Sequence, residues 1–293
     1  MKKFIALSLF LVSFAGILAA QEIYIRAGSG YNFPVATSVI GENYNYNWVY
    51  DGISDIGITS RESVSASYGA GTNFSFAIGY KFNENFILDL NIQYLRGRKY
   101  ETSNNYYEDY YGEIDIDNEK NTSYSRGIFF QPGITFSVGW GKMAPYAKIG
   151  IIAGSPKVLE EEEYYVDDGA INEDYISWEY TGGLALGYQT AVGVNWNIMD
   201  KFEIFSELDF VSMSYYAKKG RMTKNIQDGS DILNQMDVYS TQINYEKETD
   251  NSTPYDPGEA QIMIRESRPF SFISSQVGIR FKVWKQKDIL SGY

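Results

Sequence analysis

The chemically suggestive residues of this chain are charged side chains that alternate with apolar ones. Glu203, Glu207 and Asp209 fall between Phe202, Ile204, Leu208 and Phe210, so the three carboxylates share one face of a strand of period two. Glu207 and Asp209 stand two residues apart and could form the carboxylate pair that glycoside hydrolysis requires. The reading preferred here is ionic. Arg26, Lys81, Lys148, Arg280 and Lys282 lie on comparable polar faces, with Asp89 as a fourth carboxylate. Charges of both signs are therefore nearly balanced, and buried ions are tolerated only when paired.

A second concentration of acid lies in long connecting segments. Glu160, Glu161, Glu162, Glu163, Asp167 and Asp168 crowd into Lys157–Ser177, which carries a net charge of −7; Arg98–Ser123 carries −4. Carboxylates at this density could bind Ca²⁺ or Mg²⁺, although their spacing matches no defined calcium loop. The interleaved Tyr106, Tyr107, Tyr110, Tyr111, Tyr164, Tyr165 and Tyr175 suit protein recognition, because tyrosine offers contact area at low entropic cost.

What the chain lacks is equally informative. Its 293 residues include no His and no Cys. Imidazole-based acid–base catalysis, thiolate nucleophiles, disulfides and most zinc sites are excluded. No catalytic residue, metal site or cofactor is expected. With 37 acidic against 25 basic residues the net charge is −12, which argues against a nucleic-acid partner.

The elements that must carry these side chains read as strands. Eight segments alternate with period two: Glu22–Pro34, Tyr68–Asn83, Asn85–Gly97, Tyr124–Trp140, Ala144–Pro156, Trp178–Ile198, Lys201–Ala217 and Phe270–Trp284. Tight turns at Asn83–Asn85, Gly141–Met143 and Met199–Lys201 join alternate pairs, and long segments join the others. Such an alternation puts short turns at one end of the molecule and long loops at the other, as in membrane barrels. The 26 Tyr, 17 Phe and 5 Trp place large apolar side chains on almost every segment, more than an eight-stranded interior can hold. The expected fold is all-β: an eight-stranded, antiparallel, up-and-down transmembrane barrel. Tyr239, Thr241, Ile243 and Tyr245 alternate inside the longest loop, which leaves ten strands open. Tyr44, Tyr46, Trp48 and Tyr50 could extend a strand through an aromatic girdle. The soluble alternative is a secreted, lipocalin-like ligand binder.

Residues 1–20 have the pattern of a signal peptide. Lys2 and Lys3 precede the apolar run Phe4–Leu18, and Ala19-Ala20 offers a cleavage site. The expected organisation is a signal peptide at 1–20, a barrel at 21–284 and a short periplasmic tail at 285–293. No other window is apolar over 18 residues without charge.

Three stretches resemble the small bacterial outer-membrane barrels of the OmpA/OmpX and opacity type, the porin-family β-barrel domains. Tyr24–Tyr31 is similar to their opening strand. Ala77–Asn83 with Leu88–Leu90 is similar to their first tight hairpin, and Gln276–Phe281 to the closing strand read by the barrel-assembly machinery. The resemblance implies location in the outer membrane, contact with its lipid and long loops outside. Those loops would meet an extracellular protein, or lipopolysaccharide through divalent cations. Enzymes among such barrels use a histidine, so a non-enzymatic surface protein with a filled polar lumen is expected. The alternative is a narrow channel for small or apolar solutes. Arg280 is expected to pair with Glu207 or Asp209, with Arg26 in the same network.

Overall fold

The computed structural model describes residues 22–50, 55–110, 113–167, 171–248 and 255–285. The expected signal peptide, the tail from residue 286 onward and Asp168 lie outside them.

Eight strands close into one barrel: β1 (Glu22–Pro34), β2 (Gly71–Lys81), β3 (Phe86–Gly97), β4 (Glu113–Ser137), β5 (Met143–Gly154), β6 (Ala185–Met199), β7 (Phe202–Tyr215) and β8 (Phe272–Lys285). Each pairs antiparallel with its sequence neighbour, and β1 closes the ring on β8 with Gly28 opposite Gly278. Two of the three tight connections show local causes. The Asn83 side chain accepts from the backbone N–H groups of Asn85 and Phe86, both at 2.9 Å, which is the turn-forming habit of asparagine. Gly141 adopts φ +61°, a conformation that other residues rarely adopt.

The alternation resolves into two faces of opposite character. On β2 the odd-numbered Asn73, Ser75 and Ala77 are buried inside, while Phe74, Phe76 and Ile78 remain about half exposed outside. The same inversion holds on β3 and β7, where Leu88, Leu90, Ile204 and Leu208 point out and Asp89, Asn91, Glu203 and Glu207 point in. Interior width is reserved by glycine. A Cβ at Gly79 would lie 2.0 Å from the Tyr24 ring, and one at Gly28 or Gly278 would meet the ring of Phe205 at 2.7 or 2.5 Å.

The described parts of the long connections form a crown of strands standing on the barrel. β4 runs for 25 residues, roughly 80 Å at the usual rise, so it serves the barrel and the crown in turn. Crown strands Ser38–Tyr50 and Asp55–Ala66 pair with each other, and Ser38–Tyr50 also runs parallel to Tyr100–Tyr110. From there pairing passes to the outer half of β4, then to Lys157–Asp167, Ile171–Thr181 and Lys219–Gln227. The expected eight strands form the barrel, and the alternative of ten does not: Tyr239 and Thr241 sit in a one-turn helix, while Gln242–Glu246 is a crown strand pairing with Gln261–Ile264. Tyr44–Tyr50 likewise belongs to the crown. The expected single strand Trp178–Ile198 is broken at Gly182, whose φ of +84° turns the chain between crown and β6.

Candidate functional site

Inside the barrel, all seven expected lumen charges are buried, and they fall into layers. At the tight-turn end, Arg280 bridges Glu22 at 2.9 Å and Glu203 at 3.3 Å, while Lys282 reaches Glu203 at 2.6 Å. The Arg280 guanidinium also covers the Tyr24 ring at 3.5 Å, and the Tyr24 hydroxyl donates to Asp89. Asp89 accepts a further bond of 2.5 Å from Thr135. One layer up, Glu207 takes Arg26 at 2.9 Å, Lys148 at 3.0 Å and the Tyr146 hydroxyl at 2.8 Å. Asp209 lies 3.6 Å from Lys148 and accepts from Gln276 at 2.8 Å and Gln189 at 3.3 Å.

The expected pairing of Arg280 with Glu207 or Asp209 does not form. Register is the cause: Arg280 stands opposite Glu203, whereas Glu207 stands opposite Gln276 and Asp209 opposite Ser274. Arg26 takes Glu207 instead. Arg26 and Arg280 are themselves cross-strand partners, and their like charges are separated by the carboxylates each engages. Glu22, Tyr24, Tyr146 and Phe205 are lumen residues that sequence reasoning missed. Glu22 was legible, being two residues from Tyr24 and four from Arg26 on one strand face.

Above the charges the lumen turns first to amides, then to hydrocarbon. Asn91 donates to Gln131 at 2.6 Å and Gln131 to Gln93 at 2.5 Å. At the loop end Phe270, fully buried, meets Tyr68, Phe129 and Tyr215 with ring centroids 5.9, 6.3 and 5.6 Å away. Met213, Phe272 and Val158 complete this apolar seal. Arg268 lies on its outer side, 2.7 Å from Glu160 and with its guanidinium 4.1 Å from the Tyr180 ring. Glu160 and the neighbouring tyrosine rings hold the Arg268 guanidinium in its charged form against the cost of burial.

Beyond the seal, the inner face of the crown forms a vestibule. Its lower cleft, about 230 Å³, is lined by Tyr100, Asn121, Glu160 and Glu162 among others. Its upper cleft, about 650 Å³, adds Tyr44, Arg61, Tyr106, Asp117, Glu119 and Tyr164. The expected acidic cluster is thereby divided. Successive residues of a strand point to opposite faces: Glu160 and Glu162 stand opposite Ser123 and Asn121, whereas Glu161 stands opposite Thr122; Glu161 still edges the lower cleft, and its carboxylate is held by Lys99 at 3.4 Å and the Tyr124 hydroxyl at 2.7 Å. Glu163 stands opposite Lys120, on the same face as Glu161; Asp167 is described by its backbone alone, and Asp168 is outside the described residues. Among the described residues no three acidic side chains converge as ligands for a metal ion. Burial raises the carboxyl pKa of Glu162; a bond from Tyr164 lowers it, and nearby Glu119 and Glu160 raise it again. The Tyr164 hydroxyl, buried beside Glu162, is pushed up to about 12.

No protein-family model matches this chain, and no curated protein matches it either.

Proposed function

We propose that this protein is an integral bacterial outer-membrane barrel, closed to bulk flow, whose crown acts at the cell surface in recognition rather than catalysis. The observation that carries the reading is the inverted exposure of the barrel. Phe74, Ile78, Ile134, Ile149, Leu186, Leu208 and Val277 are each about half exposed on its outside, while Arg26, Lys148, Glu207 and Asp209 are buried within. A water-soluble, lipocalin-like barrel needs the opposite arrangement. Apolar side chains facing lipid lose nothing by exposure, and closure of the ring leaves no unpaired backbone edge in hydrocarbon. Strands of 11–15 residues in β2, β3, β5, β6 and β7 meet the roughly 9–11 that a tilted crossing requires. The export pattern of residues 1–20 and the resemblance of the closing strand to an assembly signal agree with this route.

The aromatic seal and the paired charges beneath it speak against the narrow-channel alternative, because together they occupy the cross-section that water would need. The acidic crown would meet its partners, whether an extracellular protein or lipopolysaccharide with its counter-ions. The test is fractionation with surface labelling. The folded protein should co-sediment with outer membranes and migrate differently in unheated detergent gels. A tag at Asp109 should be reached by antibody on intact cells, whereas a tag at Asp200, in a tight turn, should not. Recovery as a soluble periplasmic monomer would overturn the reading.

A further inference from the structure

We infer that a cationic row on the outside of the barrel, where it passes into the crown, is a binding site for the phosphates of an acylated glycolipid in the outer leaflet. This deepens the outer-membrane reading and rests on it for the leaflet itself. It differs from a counter-ion contact with the acidic crown, because the protein's own cations meet the phosphates.

Strand register builds the row. Arg96, near the end of β3, stands directly opposite Arg126 on β4. Arg126 in turn stands opposite Lys157, the first residue of the crown strand Lys157–Asp167. Directly opposite residues share a face, and neighbouring strands lie about 4.8 Å apart, so the three cationic residues span roughly 10 Å across the sheet. The face is the outer one, since the adjacent residues Leu95, Ser125 and Val158 are buried inside. Arg96 is exposed, and the Arg126 and Lys157 side chains keep 51% and 47% of their surface.

Such a row works against the sheet that carries it, because like charges directly opposite one another are destabilising. Glu179, 2.7 Å from Lys157 and 3.7 Å from Arg126, relieves two of the three. Arg96 has no ion-pair partner among the described residues. Further along the sheet, exposed Arg221 and Lys219 stand opposite Glu179 and Thr181 and extend the positive excess. The neighbouring segments Arg98–Ser123 and Lys157–Ser177 carry −4 and −7, so the row is a cationic island in an acidic surface.

The height of the row selects the ligand. Two residues nearer the tight-turn end, Tyr94 and Ile128 stand opposite each other on the same face, 43% and 51% exposed. The row therefore lies where the barrel's apolar exterior ends. A molecule with acyl chains against that exterior brings its headgroup to these cations, and the headgroup must be anionic. The guanidinium forks of Arg96 and Arg126 match phosphate oxygens in charge and in geometry. Basic clusters beside a membrane recognise anionic lipid by the same attraction.

The experiment uses the full chain, purified in detergent and titrated in mixed micelles with a fluorescently labelled lipid A, the phosphorylated anchor of lipopolysaccharide. Binding should be saturable and at least about tenfold tighter than for the same lipid stripped of its phosphates. It should survive chelation of divalent cations. Arg96→Gln and Arg126→Gln should each weaken it by about fivefold. Lys142→Gln removes the same charge from a tight turn at the other end of the barrel and should leave affinity unchanged. Excess inorganic phosphate should not displace the lipid, because it makes no use of the apolar exterior. Heat-dependent gel migration establishes that each variant is folded. Equal affinity for the two lipids, or equal weakening in Lys142→Gln, would mean insertion or diffuse attraction without a built site and would overturn the proposal. Loss on chelation would transfer the contact to the acidic crown, and displacement by inorganic phosphate would make the occupant a soluble anion; either overturns it as well. These readings come from purified protein, so failure of the outer-membrane reading would register separately, in the fractionation experiment.

Discussion

The lumen and the vestibule are joined through β4, which serves both, and both are rich in carboxylates, yet they treat charge in opposite ways. In the lumen each of Glu22, Glu203, Glu207 and Asp209 lies within 4 Å of a cation, and Asp89 is held by two hydroxyl donors. In the vestibule the acids line open space with few cations among them. A closed interior must settle its charges internally, because an unpaired ion without water is prohibitively costly. A wet cleft lets water solvate its carboxylates and so tolerates fewer cations beside them. The apolar seal around Phe270 separates these two regimes.

The largest effect should come from the lumen. Glu207 engages Arg26 and Lys148 together, so Glu207→Ala strips two buried cations of their main partner. The expected cost is about 3–5 kcal/mol of barrel stability, read as a lowered gel-shift temperature. Replacing Glu119 in the vestibule by alanine should cost far less. If both changes were equally mild, water would have to reach the lumen, and the contrast between the two regions would collapse.

The boundary itself comes next. Phe270→Ala opens a cavity at the centre of the seal and should cost about 3 kcal/mol or more. It should also raise single-channel conductance above that of the parent protein in planar bilayers. A stable variant with unchanged conductance would place the barrier lower, in the ion-pair layers.

Arg268 tests the contact between regimes. It is the cation that the chain itself sends to the vestibule floor, with 17% of its side chain exposed. Arg268→Ala should lower stability by about 1.5–3 kcal/mol, the range for hydrogen bonds to charged groups. Arg268→Lys should restore only part of this, since the ammonium retains the Glu160 contact but not the flat contact with Tyr180.

The fold was more legible in the sequence than the site, for a physical reason. Alternation such as Phe74, Phe76 and Ile78 against Asn73 and Ser75 records which face each side chain takes, and turn chemistry at Asn83 and Gly141 records where strands reverse. Together these determine the strand number and order. The partner of a charge depends on register and on contacts across the lumen, which no local pattern encodes. Arg280 therefore went to Glu203 and Glu22, while Arg26 reached Glu207. The crown was hidden for a similar reason: Tyr44–Tyr50 alternates like a barrel strand, and its pairing with Asp55–Ala66 and Tyr100–Tyr110 assigns it elsewhere. The division of Glu160–Glu163 onto two faces follows at once from strand periodicity, but only after that segment is known to be a strand rather than an irregular loop.

The smallest expected effect is one of pH, and it probes the vestibule alone. The folded crown raises the Glu162 carboxyl pKa, chiefly by burial, with Glu119 and Glu160 adding to the rise. The protonated form is therefore favoured in the fold relative to the unfolded chain. The resulting stability is fully present below the unfolded pKa and is lost as pH rises through the folded one. Hydrogen exchange along residues 157–164 should accordingly speed up, beyond its intrinsic pH dependence, as the pH climbs through that interval. Glu162→Gln, which cannot ionise, should remove the excess, and Glu163→Gln should not. The effect should be modest, because Glu162 is only partly withdrawn from water and local opening of the crown need not disturb the barrel. An identical pH response in both variants would mean that the two faces of this strand are equally solvated, and the vestibule would then be no different from open surface.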